Sequence, residues 1–109
     1  MSSTFNTAPA TLLGSGYSFD GTTLNIPLAN LPLLTSAKAN SSSGDARSIV
    51  LALLDAIYGN NSSAVAAGNG SDRFTISKAS TNPDNAGQFS NIYQIAIQLS
   101  TGNISVLAE

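Results

Sequence analysis

The sequence predicts a small α+β domain: a small antiparallel β-sheet packed against one main α-helix, with an extended N-terminal arm. Three observations lead there. One run of helical period, from about Gly44 to Tyr58, occupies the middle of the chain; two runs of strict two-residue alternation follow it, separated by turn formers; and the first sixteen residues keep neither period. At 109 residues the chain has the length of a single domain, with room for one core but not two. The division is an arm over residues 1–16 and one α+β domain over residues 17–109.

The arm mixes Ser, Thr, Ala, Asn and Pro9 around isolated apolar anchors, Phe5, Leu12 and Leu13. That composition reads as extended chain whose apolar side chains can lie on a neighbouring subunit. Next, Asp20-Gly21 separates Tyr17-Ser18-Phe19 from Thr22 to Leu28, a short-range hairpin signal, with Leu24, Ile26 and Leu28 on one face at strand spacing. Pro27 has no N–H to give a ladder, so this strand lies at an edge or breaks there. Leu31-Pro32-Leu33-Leu34 then reads as an irregular apolar connector over the core.

The helix is expected from Gly44 to Tyr58, capped by Ser43 or Ser42, with Asp45 in its electropositive first turn and Gly59-Asn60 as its stop. At 100° per residue Ala46, Ile49, Val50, Leu53, Leu54, Ala56 and Ile57 form one apolar stripe, widened by Leu51 and Tyr58, which leaves Ser48, Ala52 and Asp55 as a narrow wet strip. One small sheet cannot cover so wide a stripe. Its second flank needs either the connector at Leu31 to Leu34 or another subunit.

Asn60 to Asp72 is rich in Asn, Ser, Gly and Ala and reads as a loop. Its Gly68-Asn69-Gly70-Ser71-Asp72 run lacks the alternating ligands and closing Glu of a calcium loop, and the Lys-Ser/Thr ending of a phosphate loop. Arg73 to Lys78 and Phe89 to Leu99 alternate as strands, paired antiparallel across the turn formers Ser80 to Gln88, with Tyr93, Ile95, Ile97 and Leu99 facing the helix. Thr101-Gly102-Asn103 turns the chain into Ile104 to Ala108, a third short strand beside the long one.

Composition then narrows function. Only 9% of residues are charged, and there is no His, Cys or Trp, which removes the residue types that imidazole, thiol and soft-metal chemistry need. Turn and capping duties account for nearly all of the carboxylates Asp20, Asp45, Asp55, Asp72, Asp84 and Glu109, so neither an enzyme nor a cofactor is expected. Lys38, Arg47, Arg73 and Lys78 are scattered, and with a net charge of −2 they form neither a nucleic-acid footprint nor a polybasic membrane anchor. The first residues lack a signal peptide's pattern, and no apolar run approaches the ~20 residues of a membrane span, so no membrane partner is expected and synthesis in the cytoplasm is. A neutral surface of Ser, Thr, Asn and Gln packs against copies of itself with little charge repulsion or desolvation.

The order of Thr22 to Leu31, then Gly44-Asp45-Ala46-Arg47 opening the helix Ser48 to Tyr58, then the strands Phe74 to Ser77 and Tyr93 to Ile97, resembles small structural proteins of tailed cyanobacterial phages. The likeness rests on layout and composition over about two thirds of the chain. It implies a non-enzymatic virion component, a capsid cement or decoration protein that binds adjoining major capsid proteins as a homo-oligomer such as a trimer. Phe5, Leu12, Leu13, Leu51 and Tyr58 are the residues expected to touch partners. The alternative is an adhesive or glycan-binding module of a phage tail or an extracellular protein, using the loops Asn60 to Asp72 and Ser80 to Gln88, neither of which holds an aromatic platform.

Overall fold

In a computed structural model, residues 8–71 and 73–101 are described; Phe5, Asp72 and the expected third strand Ile104 to Ala108 lie outside them. The elements in order are α1 (Pro9–Leu13), β1 (Ser18–Phe19), β2 (Leu24–Asn25), a 3-10 turn (Leu28–Asn30), α2 (Ser36–Ala39), α3 (Ala46–Ala66), β3 (Phe74–Ser80) and β4 (Asn91–Ile97). One main helix and two antiparallel two-stranded sheets make this a small α+β fold.

The last part of the arm is not extended. Pro9 stands in the first turn of α1, where its missing N–H costs nothing, and α1 lies along α3. Two side-chain amides hold its C-terminal carbonyls: Asn60 Nδ2 donates to the Leu12 carbonyl at 2.8 Å, and Asn30 Nδ2 donates to those of Leu13 and Ser15. The Asp20-Gly21 hairpin forms as read, with Ser18 opposite Asn25 and Phe19 opposite Leu24. Asp20 Oδ1 organises its turn by accepting the Thr22 and Thr23 N–H groups at 2.9 and 2.7 Å. The strand ends at Asn25, just before Pro27, which caps the 3-10 turn.

The connector covers the core as its sequence suggests. Leu31 and Leu34 are buried with Ala52 of α3, and Ile26, Ala39, Leu53 and Ala56 pack around them. Entry to α3 is set by Asp45 and not by Ser42 or Ser43: Asp45 is the N-cap, and its carboxylate accepts the Arg47 N–H at 3.0 Å. Gly44 lies outside the helix, against the Lys38 and Asn40 carbonyls, where any β-carbon would collide with backbone. The Ser42 and Ser43 amides are instead taken by Asn40 Oδ1.

The stop expected at Gly59-Asn60 does not operate. α3 runs on to Ala66, so most of the expected loop from Asn60 is helical. Asn61 and Ala64 are buried, and Asn60 spends its amide on α1, so tertiary contact outweighs the weak local preference of Gly and Asn for ending helices. The stop is Gly68, at φ +81°: its N–H donates to the Val65 carbonyl and the Asn69 N–H to the Ala64 carbonyl, the paired bonds of a Schellman ending. The extension also corrects the reading of apolar length. At 21 residues α3 is long and apolar enough to cross a membrane by length and composition alone.

The wet strip is inverted. Ala52 is the most buried apolar residue among those described, at 1% exposure, while Val50 of the expected apolar stripe is 54% exposed. A helix that is apolar most of the way round has no unique inner face. The small Ala52 side chain lets the Leu31–Leu34 connector approach closely, so the side that packs is the one that fits.

β3 and β4 pair antiparallel in one register, from Phe74 opposite Ile97 to Ser80 opposite Asn91, and begin one and two residues later than the alternation suggests. Asp84 closes the connecting loop by accepting the Ala86 and Gln88 N–H groups.

Candidate interaction face

The ribbon of β3 and β4 meets α3 through one polar cluster. Lys78 and Tyr93 are directly opposite each other, so their side chains leave the same face, and both reach Asp55. Lys78 Nζ donates to Asp55 Oδ1 at 2.6 Å and the Tyr93 hydroxyl donates to the same oxygen at 3.0 Å. Lys78 Nζ also stands 5.9 Å from the ring centres of both Tyr58 and Tyr93, within cation–π range. Asp55, expected in water, is thus the tie between helix and sheet. The Lys78 bond holds its carboxyl below the usual carboxylate range, with a smaller contribution from the Tyr93 hydroxyl. Burial, then the same carboxylate, pushes the Tyr93 hydroxyl up.

Beyond this cluster the face is apolar and open. Ala46, Arg47, Val50, Leu51 and Leu54 of α3 and Asn91 and Tyr93 of β4 enclose a groove of about 350 Å³ that includes no β3 residue. Ile95 and Ile97, on the same face of β4 as Tyr93, were expected to be covered by the helix and are 42% and 52% exposed. Among the described residues only Leu31, Leu34, Ala52 and Ala64 form the buried apolar set, against thirteen large apolar side chains left exposed. Connector, α1 and α2 occupy one side of α3, and the ribbon only partly covers the other.

Of the residues expected to touch partners, Leu51 lines the groove and Tyr58 flanks the Asp55 cluster. Leu12 and Leu13 sit half-buried on their own chain in α1, and Phe5 lies outside the described residues. Sequence reasoning missed Val50, Ile95 and Ile97 as exposed groups. Their alternation marks them as apolar-face residues, and nothing in a period says whether that face finds a cover within the chain.

The loop residues give less. Residues 81–90 are exposed throughout, and Phe89, at the end of that loop, presents its ring to water. No protein-family model, characterised protein or solved structure matches this chain.

Proposed function

We propose that this protein is a non-enzymatic assembly subunit that works by packing its open apolar face against other protein, and that its setting is the cement or decoration layer of a phage capsid. One observation supports the assembly reading above the rest: Val50 and Leu51 are exposed along the groove, and Ile95 and Ile97 are exposed further along the β4 face that carries Tyr93, on a surface with little charge. Large exposed apolar patches on small proteins mark interaction sites. The capsid setting comes from the resemblance in layout, with the major capsid protein as partner and the virion as location. Function in this reading is added contact area, with no chemistry at any residue.

The test is to copurify the protein with intact particles and to measure its mass by light scattering. Particle association lost in a Leu51→Asp chain that keeps its far-UV spectrum supports the proposal. A chain absent from particles and monomeric at all concentrations overturns it. The glycan-binding alternative keeps one supporting feature, the exposed Phe89 ring near the end of the 81–90 loop; a glycan array separates the two readings.

A further inference from the structure

Among the described residues the β4 edge of the ribbon is unpaired, and backbone phase says which groups it offers. Gln98 N–H donates to the Arg73 carbonyl at 3.0 Å, and the Ser90 carbonyl accepts the Thr81 N–H at 2.9 Å. In an antiparallel ladder bonded positions alternate, so the backbone of Ile92, Gln94 and Ala96 turns toward β3, and that of Asn91, Tyr93, Ile95 and Ile97 turns toward the open edge. Those same four residues carry their side chains on the face that meets α3. The groove between α3 and β4 lies on that side, lined by β4 and not by β3. An unpaired edge and an apolar trough therefore coincide, and what fits both is another β-strand.

The edge is also suited to its own copy. From Asn91 to Leu99 there is no Lys, Arg, Asp, Glu or Pro, the residues that block edge pairing, whereas β3 carries Lys78. About a two-fold axis at Gln94 the strand is self-complementary: Tyr93 falls opposite Ile95, Asn91 opposite Ile97 and Ile92 opposite Ala96. Aromatic and β-branched neighbours across strands are favourable pairs, and like charges would be opposed at the axis if any were present. Val50, Leu51, Ile92, Ile95, Ile97 and Leu99 each show about two-fifths to a half of their surface. Together they expose roughly 500 Å² of apolar surface, the larger part of the roughly 800 Å² per partner of a standard interface, and the strand's backbone and polar side chains add to it.

We propose that β4 pairs antiparallel with β4 of a second copy, centred on Gln94, to give a continuous four-stranded sheet with the two α3 helices on one face. This deepens the assembly reading and rests on it, naming the self-association element and its register. The pairing satisfies the outward backbone groups of Tyr93 and Ile95 in each copy and lays the partner strand along the groove.

The chain has no cysteine, so a single engineered thiol reports the geometry in the full-length protein. Gln94→Cys places two thiols directly opposite across the axis, with Cβ atoms about 4.5–5.5 Å apart, close to disulfide range. Under mild oxidation it should give at least about tenfold more disulfide-linked dimer than Ser77→Cys, which lies on the same sheet face one strand further from the axis. In the unmodified protein, amide protection at Tyr93 and Ile95 should rise with concentration as the mass doubles. Equal cross-linking of the two variants, or protection of those amides in a monomer, overturns the proposal, the latter by giving the edge to the chain's own residues. Copurification with particles is independent of both readouts. A chain that binds particles without cross-linking at Gln94 loses the register and keeps the assembly reading.

Discussion

Lys78 Nζ lies 2.6 Å from Asp55 Oδ1, joining the middle of α3 to the middle of β3 across 23 positions of sequence. Few other contacts hold the ribbon to the helix, so this pair and the Tyr93 hydroxyl on the same oxygen carry much of the docking. Asp55→Ala should lower the thermal midpoint by several degrees and open the ribbon, while Asp55→Asn, which keeps an acceptor for Tyr93, should retain part of the loss. Differential scanning calorimetry of the two variants checks the order. An unchanged midpoint in Asp55→Ala would mean that the ribbon is held by other contacts.

The same cluster sets a pH dependence. A carboxyl held below its ordinary value in the folded state adds stability above about pH 4 and loses it as the pH falls through the folded value. Asp55 behaves so through Lys78 and then Tyr93, Asp45 through Arg47, and Asp20 through the Thr22 and Thr23 amides. Lys78 and Tyr93 are raised, so their share is present below about pH 10 and is lost as the pH rises beyond the folded values. Urea midpoints against pH should show a plateau between those limits. In Asp55→Ala both limbs should flatten, because Asp55 contributes to the raised values of Lys78 and Tyr93 as well.

Two glycines, one inside α3 and one just past its end, should respond in opposite directions to the same substitution. Gly59 is inside the helix with open space where a β-carbon would stand, so Gly59→Ala should stabilise by about 0.4–1 kcal/mol. Gly68 ends the helix at φ +81°, where a side chain strains the backbone, and Gly68→Ala should cost about 1 kcal/mol. Chemical denaturation of both variants reads the difference. Destabilisation by Gly59→Ala would put the end of the helix back where local preference places it.

Ala52 sits under Leu31 and Leu34 with almost no exposed surface. Ala52→Leu should cost about 1–3 kcal/mol by overpacking this seam, although the change increases apolarity and barely alters helix preference. Val50→Ala, on the open side, should change stability far less. Equal effects in thermal melts would contradict the assignment of the packed side.

Asn60→Ala removes the donor to the Leu12 carbonyl and should free α1 without melting α3. Faster limited proteolysis around residues 9–16 with an unchanged far-UV spectrum is the expected result. A loss of helical signal would mean that α1 supports the continuation of α3.

How much of this was legible in the sequence follows from the range of each signal. The Asp20-Gly21 turn, the break at Pro27, the connector at Leu31 to Leu34 and the pairing of β3 with β4 are decided within a few residues by proline geometry, turn chemistry and alternation. Asp45 was read as part of the helix start but two positions too deep, because Gly44 is excluded from the helix by the backbone of α2 and of the chain just after it. Leu51 and Tyr58 were named as partner contacts because they widen the apolar arc; Leu51 lines the groove, and Tyr58 is half-buried beside Lys78.

The α+β class, the single long helix, the antiparallel ribbon and a surface poor in charge follow from local periods and plain composition alone. Where α3 ends, which of its sides is covered and what Asp55 does depend on contacts between distant parts of the chain. Asn60 bonds to Leu12 from 48 positions away, Ala52 is buried by the connector, and Asp55 is claimed by Lys78 and Tyr93. Each outcome is a competition between a weak local preference, worth about 1 kcal/mol or less, and a partner distant in sequence. A periodic pattern shows that a face is apolar; the identity of what covers it is a property of the folded chain.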